Sequence, residues 1–225
     1  MPRHRPLAPQ NQKNLHQTGG DIASPSLWDP LMRLTHWTVA VAVIVNGLIS
    51  EPGKTLHVWI GWIVLAVLAV RLVWGLMGPP EARFTSFPPD PKAATGHLWQ
   101  VLRGQTPRAH PSHNPAGAIM VYTLWGLLTL VIVTGLIMTG GQTPMQVAAQ
   151  NATVAAGDWS ALAKASSGAE TAWMAGLKHW SGQVHGLAAN LILILSLVHV
   201  AGVIVEGRVM RRNLIKPMLF GSRKE

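Results

Sequence analysis

Four apolar blocks, each close to the roughly 20 residues that a helix needs to cross about 30 Å of hydrocarbon, constrain this chain more than anything else in it. They run about 31–50, 55–77, 115–138 and 181–206. Inside a bilayer every backbone amide and carbonyl must be satisfied within the segment, so such blocks can only be helices. Gly78-Pro79-Pro80 ends the second block, because proline neither donates nor continues a helix, and Gly140-Gly141 ends the third. The first two blocks are separated by so few residues that they must be antiparallel neighbours. The expected fold is therefore an all-α membrane protein, a four-transmembrane-helix bundle running up-down-up-down.

Composition agrees. Of the 225 residues, 48% are hydrophobic and 12% charged, too few charges for a soluble domain of this size. Cysteine is absent, which removes disulfides, cysteine-held iron–sulfur clusters and thioether-attached haem. The net charge of +9 could suggest nucleic acid, but no basic-aromatic or zinc-finger pattern accompanies it, so no nucleic-acid partner is expected. The basic residues lie instead between the apolar blocks. The tail with Arg33 at the start of the first block, the segment 71–114 and the C-terminus hold fifteen of the eighteen lysines and arginines, and the two opposite loops hold only Lys54, Lys164 and Lys178. By the positive-inside rule both termini should be cytoplasmic. Residues 1–27, with prolines at 2, 6, 9 and 25, read as a disordered cytoplasmic tail; 28–217 form the membrane domain; 218–225 are a basic C-terminal tail. No cleavable signal peptide is expected. The Ala/Ser/Gly-rich loop 140–180 should carry a short amphipathic helix at the membrane surface.

Ten histidines occur, but only His36, His57, His185 and His199 fall inside apolar blocks, where ionisable side chains are costly and normally functional. Topology fixes their depths: His36 near the inner face, His57 and His185 near the outer. His199 follows His185 by fourteen residues, nearly four turns, so both project from one helix face about 21 Å apart. Two pairs match in depth, His36 with His199 inside and His57 with His185 outside. Two imidazoles facing across an apolar slot suit the axial positions of a haem, whereas zinc or copper would want three or four ligands at one depth. This points to a di-haem bundle with two non-covalent haem b groups. Gly61, Gly186, Ala188, Ala189 and Gly202 are small residues beside those ligands. Haem propionates need cations; Arg71, fourteen residues after His57, and Arg33, one turn before His36, are the candidates, although Arg71 equally suits a snorkelling, topology-fixing role. His4, His16, His97, His110 and His113 lie in polar segments and read as solvated, His179 as a surface residue. Trp37 and Trp59, next to or near a ligand, suit either packing on a porphyrin or facing lipid, the latter preferred, and Glu206 reads as lying at the inner end of its helix.

The stretches WDPLMRLTHW, LHVWIGWIVLAVLAVRLVWG, HNPAGA and VHGLAANLILILSLVHVAGV followed by RRNLIKPMLFG resemble the bacterial cytochrome b561 family, related to the b-type cytochrome subunit of nickel–iron hydrogenases. The resemblance spans about 28–221 and implies a di-haem electron-transfer protein of the bacterial inner membrane, with quinone as exchangeable electron partner. It assigns the family's ligands to His36, His57, His185 and His199. In place of the carboxylates that relatives often carry beside the first helix-4 histidine, this chain has Gln183-Val184 and Gly186, which leaves the outer partner open. A soluble or c-type cytochrome, a hydrogenase and a second copy of the chain are the protein partners this reading admits. Two other classes stand beside electron relay: an anchor subunit docking a soluble oxidoreductase such as a hydrogenase, and a histidine-relay proton or solute transporter. Whether the chain is a carrier or a subunit of a quinone-linked oxidoreductase is left open by the sequence.

Overall fold

The computed structural model describes residues 29–105, 113–160, 171–211 and 213–221. The expected N-terminal tail, with His4 and His16, and also His110 and residues 222–225 lie outside them. Seven helices follow in order among the described residues: α1 Pro30–Ile44, α2 Thr55–Met77, α3 Pro91–Leu102, α4 Pro115–Thr139, α5 Pro144–Ala155, α6 Ala172–Val209 and α7 Ile215–Phe220. Four of them are long and apolar enough to span a membrane: α1 with its continuation to Ile49, α2, α4 and α6. They alternate in direction, and α1 packs on α2, α4 along α6, and α2 against α4. The start of α1 and the ends of α2 and α6 thus share one end of the bundle, called here the terminal end. The α1–α2 turn and α5 mark the opposite end.

The apolar surface points outward. Leu48 is 71% exposed and Leu197 72%, and similar leucines, valines and isoleucines stud all four long helices. A soluble protein does not leave so much apolar surface in contact with water, and lipid is the solvent that suits it. Inside, Ala42, Val64, Leu68, Leu128, Ile132 and Ile192 form one buried cluster between the two histidine levels.

Local chemistry sets the helix starts. Asp29, Asp90, Asn114 and Thr143 each precede a proline, and each side chain accepts an amide from the first turn, as at Met32 N (2.8 Å) and Gly117 N (2.6 Å). An N-cap oxygen satisfies an orphan donor while proline occupies a position that has no intrahelical bond to lose. Helix α4 ends at Gly140, whose φ of 62° is the left-handed conformation that terminates helices readily in glycine.

Two expectations are corrected. The fourth spanning helix starts at Ala172 rather than about 181, because nothing in 172–180 except Gly176 opposes the helix; Trp173, His179 and Trp180 therefore ride on an extension of α6 instead of a loop. Its 38 residues give a length of about 57 Å, well beyond the hydrocarbon thickness. The C-terminal boundary at 217 also falls inside α7. That helix is held to the start of α1 by Trp37 Nε1 donating to Met218 O (3.2 Å) and Arg33 Nη1 donating to Leu219 O (3.4 Å), so Trp37 is engaged with the chain rather than only facing lipid.

Candidate functional site

The four long helices bring the intramembrane histidines into two pairs at opposite ends of the bundle. His36 of α1 and His199 of α6 have ring centroids 6.3 Å apart, and His57 of α2 and His185 of α6 have centroids 6.0 Å apart. Those spacings discriminate between chemistries. Two imidazoles bound trans to one metal stand roughly 6.4 Å apart, from two metal–nitrogen bonds of about 2.1 Å and ~1.1 Å from each nitrogen to its ring centre. A direct imidazole–imidazole hydrogen bond of about 2.9 Å would draw the centroids to roughly 5.1 Å. Both pairs have the wider spacing. Among the described residues no third His, Cys, Asp or Glu joins either pair in a metal-binding group.

At the opposite end, His185 Nδ1 lies 3.0 Å from Val131 O and 3.1 Å from Thr134 Oγ1. A carbonyl can only accept, so Nδ1 carries the proton and Nε2 keeps its lone pair. On His57, Nδ1 lies 3.4 Å from Ser50 Oγ, whose hydroxyl donates to Asn46 Oδ1 (2.9 Å). Asn46 Nδ2 in turn donates to His57 O (3.1 Å). Asn46 and Ser50 hold these positions because α1 widens into a π-turn over Val45–Ile49, a distortion that commonly accompanies functional sites. Sequence reasoning marks Asn46 only as a polar residue inside an apolar block and misses that it ties α1 to the start of α2. Between the pair lies an apolar cavity lined by Gly61, Val131, Gly135 and Ala189 among others. A Cβ on Gly135 would approach His185 Cε1 to 3.4 Å, and one on Gly61 would meet nothing within 4 Å. Of the other small residues singled out, Ala188 is buried, and Gly186 and Gly202 are exposed.

At the terminal end Arg71 is 4% exposed. Its Nη2 donates to Ala82 O (3.3 Å), and its guanidinium lies 5.1 Å from the Phe84 ring centre and 5.9 Å from that of Trp125. Gly75 makes room for Phe84: a Cβ there would overlap the ring. Arg71 Nη1 and Arg33 Nε are buried donors without a hydrogen-bond partner among the described residues. Buried cationic donors are seldom left so, and each can take an anionic oxygen.

Two histidines assigned to solvent are not there. His97 is 6% exposed, and its Nε2 lies 3.7 Å from Glu206 Oε1; α3 carries it onto the bundle. His113 stacks 4.5 Å from the Phe87 ring, and burial, then Arg71, then His199 push its pKa down to about 4, so it is neutral at physiological pH.

The sequence model for prokaryotic cytochrome b561 matches residues 27–221. The chain belongs to the prokaryotic cytochrome b561 family. Comparison with curated proteins gave no match, and comparison with solved structures gave none. Membership makes the chain a membrane-embedded b-type cytochrome, a haem protein of transmembrane electron transfer. The residues present fit that cofactor: imidazole pairs at trans-ligand spacing, a tautomer that frees Nε2, an apolar slot with glycine walls and cationic donors awaiting an anion.

Proposed function

We propose that this cytochrome b561 relays single electrons across the bilayer through two non-covalent haem b groups. His36 and His199 would hold the inner group, and His57 and His185 the outer. The observation that carries this reading is the pair of centroid separations, 6.3 and 6.0 Å, at the two ends of the bundle. Bound haem supplies an iron that changes oxidation state by one electron without covalent chemistry. The protein does the rest. Two imidazoles per site would hold the iron without leaving a protein-free position for oxygen, which suits the site to electron transfer. Val131 O, Thr134 and the Asn46–Ser50 pair lock the outer rings and raise the basicity of Nε2. Arg71, and Arg33 beside its contact with α7, would neutralise inner propionates through their unsatisfied donors. The buried cluster from Ala42 to Ile192 keeps water out of the layer between the sites.

By charge, the terminal end would face the cytoplasm of a bacterial inner membrane, because eight of the ten lysines and arginines among the described residues, all but Lys54 and Lys178, flank that end; both termini would then be cytoplasmic. Quinone would exchange electrons at the inner group. A reduced-minus-oxidised spectrum of the purified chain with a pyridine haemochrome count tests the proposal. Two non-covalent haems per chain support it, and one haem, or none, would end it.

A further inference from the structure

Glu206 is the carboxylate that the electron path leaves unused. It follows His199 by seven residues on α6, nearly two turns, so it projects from the same face about 10 Å nearer the terminal end. Its side chain is 18% exposed and that of His97 5%. One carboxylate oxygen faces His97 Nε2 at 3.7 Å, and the other accepts a hydrogen bond from Asn114 Nδ2. Three elements therefore converge on one acid–base pair: α3 through His97, the N-cap of α4 through Asn114, and α6 through Glu206. Asn114 adjoins His113, which lies within electrostatic reach of both Arg71 and His199. The charged residues elsewhere on the packed helices, Lys92 and Arg103 of α3 and Arg208 of α6, lie toward solvent and are screened by it.

We propose that the Glu206–His97 pair is a proton-binding site linked to the oxidation state of the inner haem. It would take up one proton from the adjoining aqueous phase when the inner group gains one electron from a quinol or from the outer group, and return it when that electron passes on. Charge balances, since one electron and one proton enter together. This rests on the reading that His36 and His199 hold the inner group. The alternative role, a structural tie that pins α3 to the bundle, needs no titration, and a neutral hydrogen-bonding pair would serve it at lower desolvation cost. If the added charge sits at a separation of the order of that two-turn rise, about 10 Å, then with an effective dielectric near 20 it would raise proton affinity roughly tenfold. The sign follows: protons bind more tightly to the reduced protein, so low pH favours reduction and rising pH opposes it.

Optical redox titration of the full chain, from mildly acidic to mildly alkaline pH, reads this directly. The inner reduction equilibrium should shift by roughly tenfold across that range while the outer one does not. Glu206→Gln should flatten the inner curve with both haems retained, and Glu206→Asp should keep it. An inner haem whose equilibrium ignores pH in the unaltered protein would overturn the proposal. So would an unchanged pH dependence in Glu206→Gln or His97→Gln, or a dependence lost only in His113→Gln. Should the Glu206→Gln protein fail to fold, the titration of His97→Gln decides: a flattened inner curve with both haems retained supports the site, and an unchanged one overturns it. Failure of the ligand assignment would look different: His199→Ala would keep the inner haem signal.

Discussion

Replacing Arg71 by Met separates two roles that look alike in sequence. A snorkelling arginine that only fixes topology would be exposed to headgroups. Arg71 is 4% exposed, sandwiched by Phe84 and Trp125, and holds one donor in reserve at Nη1. If that donor meets an inner propionate, the substitution removes a charge-assisted hydrogen bond worth about 1.5–3 kcal/mol. That corresponds to a roughly 10- to 150-fold loss of affinity for the inner haem. Met keeps the apolar stem between the rings, so the packing loss is small, and the bond to Ala82 O, of about 1 kcal/mol, is the remaining structural cost. Haem transfer to an excess of a haem-scavenging globin, followed at wavelengths that distinguish the two groups, measures the effect. The outer haem serves as internal control, since it should leave at the unaltered rate. Arg71→Lys should recover part of the loss, because it restores charge without the planar fork. Equal release of both haems from the Met variant and the unaltered protein would refute the propionate role.

Two further outcomes are expected. Thr134→Val removes one acceptor from His185 Nδ1 but leaves Val131 O, so outer haem release should quicken by about tenfold, the low end of such second-layer effects, with the inner haem unaffected. Gly75→Ala drives a methyl into the Phe84 ring, and the overpacking should cost about 1–3 kcal/mol of stability, read as a lower thermal midpoint in detergent.

The spanning helices are legible because membrane depth demands an uninterrupted apolar run, a signal that survives without any tertiary information. The depth matching of His36 with His199 and of His57 with His185 follows from the 14-residue interval in α6 and from up-down topology, both local properties. What sequence conceals is long-range. His97 reads as solvated because its neighbours are polar, and its partner Glu206 lies on α6, more than a hundred residues further along the chain. Helix α3 escapes a search for spans because it is too short, yet Asp90-Pro91 carries the same N-cap and proline signature that opens α1, α4 and α5. Asn46 cannot be assigned from periodicity because its placement depends on the π-turn at the end of α1. The start of α6 is misread from sequence because the Ala/Ser/Gly-rich composition before 181 suggests a loop, while helix propensity over 172–180 simply continues the helix.

The central claim is that each histidine pair holds its own haem. Single replacements of His36, His57, His185 and His199 by Ala, each followed by the haem count and the resolved spectra of the purified chain, test it most directly. Loss of one haem with the same spectral component missing in the His57 and His185 variants, and the other component missing in the His36 and His199 variants, is the predicted result. Retention of both haems in any one of the four, or loss of the same component from all of them, would contradict it.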